Sequence, residues 1–540
     1  MKISHTAPKF DKAQLDTLNP TVVLAFLQVV QVAVAGKSLS AMVIALLPAL
    51  RHLGIVILRT VIEDRDNYAD LQGIAYGCPC CKSPLVRTRH VRPIRRYTLL
   101  GLLTYNRRNY LCGNCKRSEY PTDWALDVLQ RLHGHSQEFA SLAVLMTTLM
   151  PNAKAMNLFH KCFGFAVSTH LVREMSFGVG TELVAQESER AAKLWAMRTE
   201  DPEKIEPVPA VLKKMARIKR VYVMADDSKL GIQEGNRGRG AKKRVGDQSV
   251  EEKALRKLLQ QEKAKAAKAA KAGKPGPNAP AKKMEAPKEA EVSDYRNVRA
   301  LLIFEEKDRA QVSKGRAEIL RRKVIAHIGT LDEWRQFVHM AMVEYGVYTA
   351  QEVFVIADGG TGIWEMFEEL LPTTRERKVI QVLDFYHASC HLWAAGRAYR
   401  GHQTAEQRKA CILWVKSQLA ALRAGQVSNV IQRLGKLKAA GAAAEEIAKA
   451  KKYFETHRRR MRYAWLREQN ALIGSGAMES VHAWVIQARC RLPGMRWSVA
   501  GANAMLRLRC AWASDAWDEN FARAARAPTR AVFKSLTALV

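Results

Sequence analysis

The stretch Val353–Ala388, VFVIADGGTGIWEMFEELLPTTRERKVIQVLDFYHA, decides the reading of the chain. An apolar run, Val353 to Ile356, leads to Asp358 and then Gly359-Gly360. A short helical segment, Trp364 to Leu371, is stopped by Pro372, which cannot continue a helix. A second β-rich run, Val379 to Leu383, ends on Asp384, with His387 three residues on. Strand, carboxylate, helix, strand, carboxylate, histidine is the order of an α/β sheet whose acids sit at the C-terminal ends of strands, where ligands and metals gather. Either aspartate read alone is equally a helix N-cap after a buried strand.

Moving outward, Lys219 to Asp226 (KRVYVMAD) reads as a strand ending on Asp226-Asp227. Val298–Glu305 and Lys323–Ile328 read as two more strands, Leu331–Tyr345 as an amphipathic helix and Glu352–Asp358 as a fourth strand. Three strands, a helix and a strand with the second acid is the ribonuclease-H order, which places Asp226 and Asp358 on neighbouring strands. In IGSGAMESVHAWVIQARC, Ser475 is a natural N-cap and Glu479 falls in the first turn of an apolar-faced helix. Laid across the sheet, that helix would aim Glu479 at the two aspartates. Three converging carboxylates need cations. A pair of Mg²⁺ (or Mn²⁺) ions, suited to oxygen ligands, would serve in-line phosphoryl displacement.

Between the first two strands lies a low-complexity insertion, residues 235–292, whose Gly235–Glu289 part carries sixteen Lys and Arg against six Asp and Glu. It reads as a solvated charged loop with phosphate contact as an extra. The whole chain of 540 residues has a net charge of +34, so nucleic acid is the first partner to consider and an anionic membrane the competitor. Two to four domains are expected at this length.

The N-terminal sequence does not resemble a signal peptide, and the apolar region Val22–Ile62 is interrupted by Lys37, Arg51, His52 and Arg59. Its uninterrupted runs reach about 14 residues, short of a spanning helix, which predicts two or three buried helices and a cytoplasmic protein without membrane attachment. The AGKS at Ala35–Ser38 lacks the first glycine of a phosphate-binding loop, since Gln31 stands there.

Cys78 and Cys81 form one CxxC pair and Cys112 and Cys115 another, while Cys80 is spare. Two such knuckles complete a four-cysteine zinc site, and the absence of a leader favours metal over disulfides. The intervening RTRHVRPIRRYTLLGLLTYNRRNYL reads as a zinc-ribbon hairpin turning near Gly101, with Arg87, Arg89, Arg92, Arg95, Arg96, Arg107 and Arg108 on its surface. Residues 123–210 read as helical, in the manner of a DNA-reading helix-turn-helix or any small bundle. Residues 389–470 read as a helical, basic insertion containing Arg458, Arg459 and Arg460.

These blocks together resemble the ISKra-type insertion-sequence transposases, relatives of the Mutator-like DDE transposases. The resemblance is carried by the cysteine pattern followed by RNYLCGNCKRSEYPTDWALD, then by ADGGTGIW, LDFYHA, IGSGAMES and PGMRWSVAGANAMLRLR. It runs in matching order from about residue 70 to 515. It implies a bacterial cytoplasmic or nucleoid DNA transposase that binds double-stranded terminal repeats and target DNA, works as a homo-oligomer in a synaptic complex, and carries two Mg²⁺ per active site and one structural Zn²⁺. It assigns Asp226, Asp358 and Glu479 as the catalytic metal ligands. Asp384 and His387 match the family's acid-then-histidine pair and would position DNA or the ligands. Where the family commonly has Asp-Gly, this chain has Asp226-Asp227, so either could be the first ligand, with Asp226 preferred. Arg95, Arg96, Arg107, Arg108, Arg458, Arg459, Arg460 and Arg496 are candidate DNA contacts.

The expected organisation is an N-terminal helical region (1–70), zinc ribbon (71–122), helical DNA-binding region (123–210), first part of an α/β, ribonuclease-H-like core (211–388), helical insertion (389–470), and the Glu-bearing helix with C-terminal helices (471–540). A catalytically silent DNA-binding descendant and a repair nuclease of the same fold are the competing expectations.

Overall fold

The computed structural model describes residues 38–71, 75–126, 130–198, 217–233, 295–313, 316–360, 362–493 and 495–526, with Gln28 and Gln31. The basic insertion, most of the first 37 residues, residues 199–216 and the end of the chain from 527 lie outside them. The described chain is a mixed α/β structure.

The described part of the apolar N-terminal region is one helix, α1 (Leu39–Leu71). Residues 22–37, apart from the helical Gln28 and Gln31, lie outside the described residues, and with them the rest of the expected two or three helices. Arg51, His52 and Arg59 lie within the continuous helix, and Arg51 has a destination. Its guanidinium donates to the main-chain carbonyls of Phe163 and Cys162. Ile55 and Ile62 pack on the following hairpin, while Val43, Leu47 and Val61 stay exposed. Ser40–Asp64 is long and apolar enough to cross a membrane by length and composition alone.

Strands β1 (Leu85–Thr98) and β2 (Gly101–Cys112) form an antiparallel hairpin, and β3 (Ser118–Glu119) adds to β2. The turn between β1 and β2 uses Gly101 at φ 139°, open only to glycine. Helices α2 (Gln137–Leu149), α3 (Asn152–Phe163) and α4 (Thr169–Ala196) follow. Ser136 and Ser168 cap α2 and α4, and Gly164, left-handed at φ 72°, ends α3. Phe139, Val144, Phe159, Val172 and Met175 form their core, joined by Trp517 and Phe521 from the far end of the chain.

The central sheet comprises β4 (Ile218–Gly231), β5 (Tyr295–Glu305), β8 (Lys323–His327), β9 (Ala350–Ala357) and β10 (Lys378–Leu383). A small hairpin, β6 (Arg309–Ser313) with β7 (Arg316–Ile319), sits outside it and is not legible in the sequence. The strand order is β10-β9-β4-β5-β8. Strands β4, β5 and β8 pair antiparallel, whereas β9 and β10 run parallel to β4. Strand β4 runs on five residues past the expected end at Asp226, because its antiparallel pairing with β5 continues to Gly231 opposite Tyr295 after its pairing with β9 has stopped at Ala225. The insertion thus departs from and returns to one hairpin end.

Helices α5 (Leu331–Tyr345) and α6 (Ile363–Leu370) join β8 to β9 and β9 to β10. Beyond β10 come α7 (Phe385–Arg400), α8 (Ala405–Arg423), α9 (Val427–Gly435), α10 (Gly441–Thr456) and α11 (Tyr463–Glu468). This helical segment begins at Phe385, ahead of residue 389, because Asp384 caps α7 directly from the strand end. Helix α12 starts at Gly476–Val481 and continues through a π-helical stretch, His482–Gln487, to Cys490. Helices α13 (Val499–Ala513) and α14 (Trp517–Arg526) finish the described chain. Arg507 of α13, 2 % exposed, is neutralised by Glu187 of α4 at 2.9 Å. Arg489 and Arg509 donate to the carbonyls of Thr147 and Thr148, near the C-terminal end of α2 where a helix favours cations.

Candidate functional site

Parallel register places three aspartates side by side. Ala225 pairs with Ala357, and Ala357 pairs with Leu383, so Asp226, Asp358 and Asp384 each follow one row across β4, β9 and β10. Neighbouring strands lie about 4.8 Å apart. The Asp384 N–H donates to the Ala357 carbonyl at 2.9 Å, keeping the row together one residue past the last pair.

Asp226 bears the electrostatic consequence. Burial, then the facing Asp358, pushes its carboxyl up from 3.8 to about 7, against the stabilising Asp227 N–H at 2.8 Å. Asp358 is held from both sides of its peptide. Its carboxylate accepts the Gly360 N–H at 2.9 Å, and the Tyr453 hydroxyl of α10 donates to its carbonyl at 2.7 Å. Gly359 is obligatory here: at φ 93°, a β-carbon would lie 2.9 Å from the His457 ring. The helical segment beyond β10 therefore braces the second acid.

Asp384, 5 % exposed, spends both oxygens on neighbours. One accepts the N–H groups of Tyr386 (2.9 Å) and Ser475 (3.2 Å), and the other accepts the Ser475 hydroxyl at 2.7 Å. It thereby pins the turn that launches α12. Gly474 in that turn packs under Tyr386, where a β-carbon would approach the ring to 2.5 Å. His387 is half-buried one helical turn further, 5.5 Å between ring centres from His391 and 6.3 Å from Tyr453.

Glu479 is exposed in the first turn of α12. One turn later, His482 brings Nδ1 to 3.7 Å from the Asp226 carboxylate, and its Nε2 is buried without a hydrogen-bond partner. Burial pushes the His482 imidazole down while Asp226 pulls it up, so Asp226 faces a mostly neutral ring at pH 7. Sequence reasoning passed over His482; its place three residues after Glu479, on the same helix face, is the signal that could have found it. Asp227 points to the opposite sheet face, exposed, across from Arg299, which works against the rise that burial imposes on its carboxyl.

The sulfurs of Cys78, Cys81, Cys112 and Cys115 all lie within 4.8 Å of one another and could hold a metal ion such as zinc. Among the described residues no other group of three His, Cys, Asp or Glu is so close, so Asp226, Asp358 and Glu479 are less tightly gathered than the cysteines. The two knuckles match bond for bond. Cys78 N–H donates to Ser83 and Lys82 N–H to Cys78; Cys112 N–H donates to Arg117 and Lys116 N–H to Cys112. Lys82 and Lys116 both take the left-handed conformation, at φ 61° and 59°. The Ser83 hydroxyl and N–H pull the Cys81 thiol down to about 6, so a thiolate is present at neutral pH. Cys80 is exposed outside the cluster.

The candidate DNA arginines divide. Arg107 pairs with Asp123 and stacks on Tyr120, while Arg96 lies 3.8 Å from the same carboxylate and donates to the His133 carbonyl at 2.6 Å. Arg460 bonds Gln381 and Glu368 over the Trp364 ring. These three are committed to holding elements together. Arg95, Arg458, Arg459 and Arg496 are exposed, Arg458 bonding Ser428 and Arg496 lying over Tyr295; Arg108 is half-buried.

No family model and no curated protein matches the chain.

Proposed function

We propose that this protein is a DNA transposase of the DDE type, binding the ends of an insertion sequence and cleaving and joining DNA strands at the carboxylate row. The observation that carries the reading is the juxtaposition of Asp226 and Asp358 at adjacent parallel strands, with α12 docked on Asp226 through His482. The antiparallel-antiparallel-parallel-parallel order of β8-β5-β4-β9-β10 supports the reading as a ribonuclease-H-like sheet, and the paired knuckles with the β1–β2 hairpin support that of a zinc ribbon. The net charge of +34 suits a polyanionic partner.

The donor set fits magnesium. An aspartate whose carboxyl is pushed up to about 7 by burial and then by a facing aspartate is a site short of positive charge, and oxygen ligands are those Mg²⁺ prefers. Asp226, Asp358 and Glu479 would hold the ions, which when bound supply Lewis acidity to the scissile phosphate and lower the pKa of an attacking water or 3′-hydroxyl. The protein's own contribution is preorganisation. Tyr453 and Gly359 fix the Asp358 turn, and Asp384, through Ser475, sets where the Glu479 helix begins. His482 brings α12 to within 3.7 Å of the Asp226 carboxylate. Asp227, on the other sheet face, is left out of this centre.

The test uses DNA from either side of the coding sequence, labelled at its ends, with Mg²⁺ and a plasmid target. Cleavage followed by joining supports the reading, and Asp226→Asn, Asp358→Asn and Glu479→Gln should each abolish both steps while retaining DNA binding. Cleavage without joining points to a nuclease, and binding without cleavage to a silent descendant.

A further inference from the structure

A cavity of about 880 Å³ opens on the flank of α12 away from Glu479. Its floor is Leu302 and Phe304 of β5, and its rim carries Trp484 and Trp512. Trp484 is 70 % exposed and Trp512 45 %, although tryptophan is ordinarily well buried. Trp484 belongs to the π-helical stretch of α12, a distortion that recurs at functional sites. The next residue but one before it, His482, is the one that touches Asp226.

The cavity and the carboxylates share a sheet face. Ala300 pairs with Asp226, and Leu302 and Phe304 lie two and four residues further along the same side of β5, about 7 and 14 Å away along the strand. Phe304 stacks on Tyr222, which is itself four residues before Asp226. Helix α12 stands between the two places, with Glu479 and His482 on one flank and Ala477, Val481 and Trp484 on the other. Arg322, which donates to the Ala513 carbonyl, brings positive charge to the wall; Arg309 there is paired with Glu306 at 3.0 Å, and Glu318 and Asp515 supply acceptors for amino groups.

We propose that this cavity binds one or two unpaired nucleotides of a DNA strand, stacking their bases on Trp484 and Trp512; the proposal rests on the reading of the carboxylate row as a DNA-cleaving centre. A concave space of this size is of the kind that takes small ligands and admits bases singly, not a duplex. Exposed indole faces beside arginines are the sequence-tolerant means of holding single strands. A strand lying across the carboxylates reaches the cavity within a few nucleotides of the phosphate being cut, so the cavity would hold the DNA end open during the reaction.

The test is equilibrium binding of the full-length protein to a fluorescent 20-base-pair duplex, blunt or carrying a five-nucleotide single-stranded 3′ extension with 2-aminopurine in it. Stacking on tryptophan is worth about five- to a hundredfold per base. Trp484→Ala should therefore lose at least fivefold in affinity for the extended duplex and lose the 2-aminopurine quenching, with blunt-duplex affinity unchanged. Trp484→Phe should keep most of both. The exposed position makes misfolding of Trp484→Ala a small concern, and unchanged zinc content and melting temperature verify it. Equal losses on both duplexes, or none on either, overturn the proposal. So does a Trp484→Ala change that alters self-association alone, which would make the cavity a protein contact. Wild-type cleavage with an unaffected Trp484→Ala removes the cavity proposal and leaves the enzyme; selective loss of extension binding in a protein that never cleaves DNA does the reverse.

Discussion

Replacing Asp226 by asparagine removes one of two facing carboxylates while keeping the side chain's shape and its acceptor for the Asp227 N–H. The folded protein retains a proton on Asp226 up to about pH 7, whereas an unperturbed aspartate releases it near 3.8. Folding therefore binds protons between those values, so the wild-type protein loses stability as pH rises from 3.8 to 7 and stays at that lower level above it. At about 1.4 kcal/mol per pH unit the ceiling is about 4 kcal/mol. A side chain 27 % exposed is partly screened by water, and about 2 kcal/mol is the working expectation. In EDTA at pH 8, Asp226→Asn should be more stable than wild type by that amount in urea or thermal unfolding, and the advantage should vanish near pH 4. Adding Mg²⁺ should stabilise wild type more than the variant, because the ion relieves the crowding of Asp226 against Asp358 in the former and meets only Asp358 and Glu479 in the latter. Equal stabilities at pH 8 in EDTA, or an advantage that persists unchanged to pH 4, would refute the claim that the two acids crowd one another.

Other perturbations separate structure from chemistry. Cys112→Ser should reduce bound zinc, measured with a chromogenic chelator, from about one per chain to none, and Cys80→Ser should leave it unchanged. Ser475→Ala deprives buried Asp384 of its hydroxyl donor at a cost of about 1–3 kcal/mol, and should depress cleavage without weakening DNA binding. Arg459→Ala should lower the slope of log affinity against log salt by about 1, whereas Arg107→Ala should leave the slope and lower the melting temperature. Arg507→Met strands Glu187 in the interior, and should destabilise by about 3–5 kcal/mol with DNA affinity intact.

The parts of this structure written in local signals are the parts the sequence discloses. Helix α5 falls on Leu331–Tyr345 as read, because Thr330 and Glu333 form a reciprocal cap and Gly346 ends it in the left-handed conformation. The run into Asp384 reads correctly for the same reason: the strand stops where the aspartate begins to cap α7. Long-range choices are what escape. Nothing near Asp226 announces that β4 goes on to Gly231, since its continuation is decided by β5, far away in the chain. Arg96 and Arg107 look like phosphate ligands in a basic hairpin, and only the folded chain reveals Asp123 between them. The interruptions in α1 likewise look like breaks until Arg51 is seen reaching the end of α3. His482 was hidden by company: on an apolar helix a histidine usually reads as core, and its meaning comes from an aspartate more than 250 residues earlier.

The junction of β4 and β5 has a further consequence. Gly231 and Tyr295 are direct partners, so the two chain ends leaving the sheet there are already side by side whatever is spliced between them. Lengthening a flexible loop raises the cost of closure by only about 0.6 kcal/mol per doubling. That end of the β4–β5 hairpin is consequently a port for evolutionary or engineered cargo: tags, tethers or whole modules can be exchanged there while the carboxylate row keeps its register.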